Sequence, residues 1–114
     1  MLKRRALVIV ALVVLAALTS VAAVAQDALG SESNPIRVYF VPSVEADTIT
    51  TGGEVMAAAL KEATGLNFEV FVPTSYAATI EEMCASPSNS MGFIPSAGYI
   101  IANNRCGVDV AMKA

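Results

Sequence analysis

The chain has 114 residues, 55% of them hydrophobic and 15% charged, with a formal charge of −3, two cysteines and no histidine. One domain at most fits this length, and the apolar content excludes a disordered or low-complexity chain, which lacks the hydrophobicity to build a core. Without histidine there is no Ser-His-Asp or Cys-His catalysis and most zinc sites are lost. Without tryptophan and with 6% aromatics, a base-stacking platform is excluded as well.

The charge is unevenly spread. Residues 1–25 carry Lys3, Arg4 and Arg5 and no acid, whereas residues 26–114 carry four basic residues against ten acids, 4 − 10 = −6. So acidic a body cannot release counterions from a phosphate backbone, so no nucleic-acid partner is expected. Lys3-Arg4-Arg5 precedes the apolar run Ala6 to Leu18, and small residues then lead to Ala23-Val24-Ala25 before Gln26-Asp27. A charged region, an apolar stretch and an A-x-A site predict a signal peptide over residues 1–25 and export to the periplasm or cell surface. The alternative is an uncleaved anchor, since Ala6 to Ala25 is just long enough to span a bilayer. No cysteine stands near the cleavage site to carry a lipid.

Export changes the reading of Cys84 and Cys106, which would then meet an oxidising compartment. They lie 22 positions apart and form no C-x-x-C redox pair. They flank one predicted strand–helix unit, and a bridge between them would add about 3 kcal/mol in the chain-entropy picture. Two separate buried thiols are the other possibility.

After a polar linker over residues 26–35, Ile36 to Val41 is rich in β-branched and aromatic residues and predicts a strand stopped by Pro42. Ser43 to Thr51 reads as a loop. Gly53 to Thr64 is made of helix formers, with Val55, Ala59 and Ala63 at helical spacing and Gly65 placed as a C-terminal cap. Asn67 to Val72 predicts the second strand, closed by Pro73. Thr74 or Ser75 can cap a helix from Tyr76 to about Ala85, with Ala77, Ile80, Met83 and Cys84 as its apolar stripe. Ser86-Pro87-Ser88-Asn89 is a turn. Ser90 to Ile94 predicts the third strand, Ala97 to Asn103 a short helix, and Val108 to Met112 a fourth strand.

Strands alternating with helices predict an α/β fold: a mostly parallel sheet with helices on both faces. The last strand stops without a closing helix. The exported part, roughly 89 residues, would bury only about 60% of its unfolded surface. We therefore expect an incomplete α/β lobe over residues 36–114.

In such sheets ligands sit beyond the carboxyl ends of the strands. Those ends are Pro42-Ser43, Pro73-Thr74-Ser75-Tyr76 and Pro95-Ser96: each time a proline followed by hydroxyl residues, twice running into a helix N-terminus with its free N–H groups. This pattern points to a small oxyanion held by neutral donors. The plainer reading of each Ser or Thr is a helix cap. Tyr76 is not needed by the apolar stripe of its helix, whereas Tyr99, beside Ile100 and Ile101, reads as core. The methionines Met56, Met83, Met91 and Met112 also fall on apolar faces. Glu81 and Glu82 are adjacent and diverge around the helix, so they cannot act as a paired acid and base. Thr51-Gly52-Gly53-Glu54 is no dinucleotide fingerprint. No carboxylate cluster suggests a metal, and no base accompanies a serine, so no cofactor and no catalysis are expected.

The order leader, Ile36–Val41-Pro42-Ser43, helix ending Thr64-Gly65, apolar strand, Pro73-Thr74-Ser75-Tyr76-Ala77-Ala78-Thr79-Ile80-Glu81-Glu82-Met83 resembles the phosphate/phosphite/phosphonate substrate-binding proteins of ABC transporters. Gly92-Phe93-Ile94-Pro95-Ser96-Ala97-Gly98-Tyr99 is similar to that family's third-strand turn and following helix. The resemblance implies the first part of one lobe of a two-lobed type II periplasmic-binding-protein fold. It also implies an exported, non-catalytic, monomeric component that delivers a small phosphorus oxyanion to a membrane permease. It assigns ligand contact to Tyr76, with Ser43 and Ser96 bordering the cleft; Ser75 is a ligand candidate only from its own place at the end of the second strand. The chain departs from the family in having Ser75 where an acid is usual, Ser88-Asn89-Ser90-Met91 entering the third strand, and the cysteine pair. An extracellular sensing lobe of a membrane signalling protein is the alternative function.

Overall fold

The computed structural model describes residues 1–3, 5 and 28–113. The signal-peptide reading of residues 1–25 falls almost entirely outside them. The elements run β1 (Ile36–Phe40), α1 (Ala46–Thr64), β2 (Phe68–Phe71), α2 (Tyr76–Ala85), β3 (Ser90–Phe93) and α3 (Ser96–Cys106). The three strands form one parallel sheet in the order β2-β1-β3. This is the α/β class expected, with β1 central.

The register decides which side chains share a face. Val38 pairs with Val70 and Met91, and Phe40 with Phe93, so these point to one side. Tyr39 pairs with Phe71 and Gly92 and points to the other. α1 covers the first side: a Cβ on its Gly53 would lie 2.8 Å from Val70 Cγ1 and 3.1 Å from Phe40 Cε2. α2 covers the second: a Cβ on Gly92 would lie 2.5 Å from Met83 Sδ. Helices therefore occupy both faces, as two right-handed crossovers running in opposite directions across the sheet require. Val38, Tyr39, Ala57, Ile80, Met83 and Ala102 are the buried apolar residues, with Thr79 buried beside them. Tyr39 stacks on Phe71 at 5.2 Å, Phe40 stacks on Phe93 at 4.9 Å, and the Arg37 guanidinium lies 5.4 Å from the centre of the Phe71 ring.

Two expectations need correction. The segment Ala46 to Thr51, read as loop, is helical, and α1 runs without a break through Gly52-Gly53. Gly53 is retained there because backbone and sheet approach too closely for a side chain. The buried side of α1 is Gly53 and Ala57, with Met56 and Leu60 half-buried, while Val55, Ala59 and Ala63 are exposed; an alanine-rich helix offers little periodicity to separate these faces. Secondly, Val108–Met112 is not a strand. Gly107 leaves α3 in the left-handed conformation at φ 70°, Asn103 Nδ2 donates to the Val108 carbonyl, and the Val110 N–H donates to Asp109 Oδ1. Side chains thus satisfy a backbone that a ladder would otherwise have bonded.

Residues 28–35, within the polar linker, are hydrogen-bonded to the strands. The Gly30 N–H donates to the Asn34 carbonyl, and the Gly30 carbonyl accepts from both the backbone N–H and the side-chain amide of Asn67 at the start of β2. Asn89, at the start of β3, donates its amide to Asn34 Oδ1 and the Pro35 carbonyl, at 3.0 and 3.2 Å. The turn therefore stitches the amino ends of all three strands together.

Candidate functional site

Because the strands are parallel, their carboxyl ends share one edge of the sheet, and each helix starts there. The connections leave β1 toward β2 and then return to β3 on the other side, so the switch in strand order lies between the turns after β1 and β3. Ser43 lies in the first of these turns and Ser96 in the second, while Ser75 and Tyr76 follow β2. The fold brings all four predicted residues to one edge.

Their local roles differ. Ser75 is the N-cap of α2: its backbone is extended and its Oγ accepts from the Ala78 N–H at 3.0 Å. One of its two acceptor lone pairs is thus used by its own helix, and its O–H can still donate. Thr79, wholly buried, donates its hydroxyl to the Ser75 carbonyl at 3.0 Å and fixes this first turn. Tyr76, the first residue of α2, is 46% exposed; it belongs to the rim and not to the core. Ser43 is exposed in a tight turn whose N–H donates to the Val41 carbonyl at 2.8 Å. Ser96 opens α3, is exposed, and does not cap it; the N-cap position is Pro95, which has no side chain able to do so. Among the described residues, none bonds the hydroxyls of Ser43, Tyr76 or Ser96.

The extension of α1 to Ala46 adds a third helix N-terminus to this edge, which the sequence reading missed. Glu45 at its N-cap and Asp47 in its first turn place carboxylates there, favourable to the helix dipole but opposed to an anion. An acid pair just after Ser43 was the available signal; the Thr-Gly-Gly stretch obscured it. Anion-favouring character therefore concentrates at the starts of α2 and α3, where no acidic residue occupies the first turn.

Chemically the edge offers neutral O–H and N–H donors. Among the described residues no group of three or more His, Cys, Asp or Glu side chains could hold a metal, and no helix is long and apolar enough to cross a membrane. A separate open groove of about 440 Å³ between α1 and β2 is lined by Glu54, Lys61, Phe68 and Glu69 among others. It lies along the outer edge of β2 and takes no part in the site. Cys84 and Cys106 are joined by a disulfide across a separation of 22 residues, with Cα atoms 5.5 Å apart. It ties the end of α2 to the end of α3, at the pole opposite the hydroxyl cluster.

Comparison with protein-family models, with curated proteins and with solved structures finds no match to this chain.

Proposed function

We propose that the chain is an exported solute-binding component of an ABC importer, built on part of a two-lobed type II binding fold. It would capture a phosphonate, phosphite or phosphate for delivery to a membrane permease. The observation that carries this reading is Tyr76. It opens a helix at the carboxyl edge of a parallel sheet, stands half in solvent with its hydroxyl unengaged, and occupies the position that the resemblance assigns to the ligand. The exposed Ser43 and Ser96 turns lie on the same edge. Two helix N-termini supply N–H groups and partial positive charge, and the hydroxyls supply directed donors without a competing cation. Nothing in this arrangement activates a nucleophile; binding is followed by closure and hand-over. Closure is a population shift worth only the ligand's preference for the closed state.

The test is an NMR titration of the chain with methylphosphonate and with phosphite. The amides of Ser43, Tyr76–Ala78 and Ser96–Gly98 should shift together with one saturating dependence on ligand. Unmoved amides at all three turns, with either anion, would reject the reading.

A further inference from the structure

The second half of the site rests on a helix with few anchors. α3 packs chiefly on α2 and buries only Gly98 and Ala102, while Ile100 and Ile101 remain 58% and 49% exposed. Its one ion pair, Arg105 to Glu81, is 3.7 Å long between side chains more than half exposed, an arrangement that contributes little. The tail after Gly107 pairs with no strand. By contrast β1 is bonded on both sides and α2 buries Thr79, Ile80 and Met83 against it. Against this weak docking the Cys84–Cys106 disulfide is the strongest tie, and it joins the last residue of α3 to the last turn of α2.

We infer that the disulfide positions Ser96: it holds α3 alongside α2, so that the N-termini of the two helices face the same ligand, and reduction releases α3 as a unit while the sheet, α1 and α2 persist. In that step a dithiol reductant gives up two electrons and two protons. The Sγ–Sγ bond breaks, Cys84 and Cys106 become thiols, and the reductant closes to its own disulfide. The release of α3 stands independently; its consequence for binding rests on the function proposed above.

Hydrogen exchange of the full chain, with and without dithiothreitol, tests the release. Amides of Ser96–Cys106 should lose protection by at least about 10-fold more than those of β1, since the cross-link's loop-closure contribution is removed from this segment. The Cys84→Ser/Cys106→Ser chain should behave like the reduced one. Equal protection of α3 in both redox states would overturn the inference, as would loss of protection in β1 by the same factor. The methylphosphonate titration is then repeated under reduction. If the oxidised chain responds at both turns, the reduced chain should keep the response at Tyr76–Ala78 and lose it at Ser96–Gly98; retention at both would overturn the positioning role. Failure of the oxidised chain to respond at all would count against the proposed function, and the exchange result would still decide the release.

Discussion

Tyr76 shows how neighbours can leave a single side chain without a structural task. Ser75 caps the helix and Thr79 secures the capped turn from inside, so α2 starts without help from the ring. Tyr76→Phe should therefore leave the melting temperature unchanged and weaken methylphosphonate binding by about 10-fold or more, the worth of one hydrogen bond to a charged group; calorimetry or NMR titration measures it. Gly92 is constrained by the opposite circumstance. Its missing Cβ is filled by Met83 Sδ, 2.5 Å from where the carbon would stand, with the Tyr39 carbonyl behind it at 3.5 Å. Gly92→Ala should destabilise the chain by about 1–3 kcal/mol through overpacking, read in urea unfolding. Asn89 makes two bonds across 55 and 54 residues of chain to Asn34 and Pro35. Its replacement by Ala should cost about 1–2 kcal/mol, since two part-buried hydrogen bonds are lost.

Among the elements, α1 is the one whose local sequence argues against its structure. Thr48, Thr50 and Thr51 are β-branched, and two glycines follow, each weak in a helix. The two glycines have separate explanations. Gly52 faces open space, with nothing within 4 Å of an added Cβ, whereas Gly53 meets Val70 and Phe40. Gly52→Ala should therefore stabilise the chain by about 0.5–1 kcal/mol, and Gly53→Val should destabilise it by about 1–3 kcal/mol. Equal effects at the two positions in denaturant titrations would refute the packing account. Gly65 and Gly107, both at φ near 70°, end α1 and α3 in the left-handed conformation that glycine adopts without strain.

The whole molecule is acidic, and the proposed site uses no Lys or Arg. Residues 28–113 carry four basic against nine acidic side chains, 4 − 9 = −5, so the general field repels an anion and only close donors attract it. Added salt screens that repulsion. The affinity for methylphosphonate should hold or rise between about 10 mM and 300 mM salt; a steep fall would reveal a cationic site elsewhere. The Cys84–Cys106 bridge and the Gly30–Asn34 turn brace opposite parts of the same pole, one on the helices and one on the strands.

The strands, their parallel class and the start of α2 were legible in the residues themselves. β-branched and aromatic runs bounded by proline, and a serine before an apolar stripe, are local signals that the final structure does not override. The expected strand Ile36–Val41 and helix from Tyr76 to Ala85 match β1 and α2 to within a residue. The common edge of Ser43, Ser75, Tyr76 and Ser96 was legible too, because it follows from parallel order alone. The true buried face of α1 was decided by Val70 and Phe40, residues distant in sequence that make Gly53 the point of closest approach. Val108–Met112 has strand-like composition, yet a strand exists only with a partner, and Asn103 and Asp109 satisfy its backbone instead. Local chemistry determines what a segment can become; which option is taken depends on the atoms that tertiary packing brings against it.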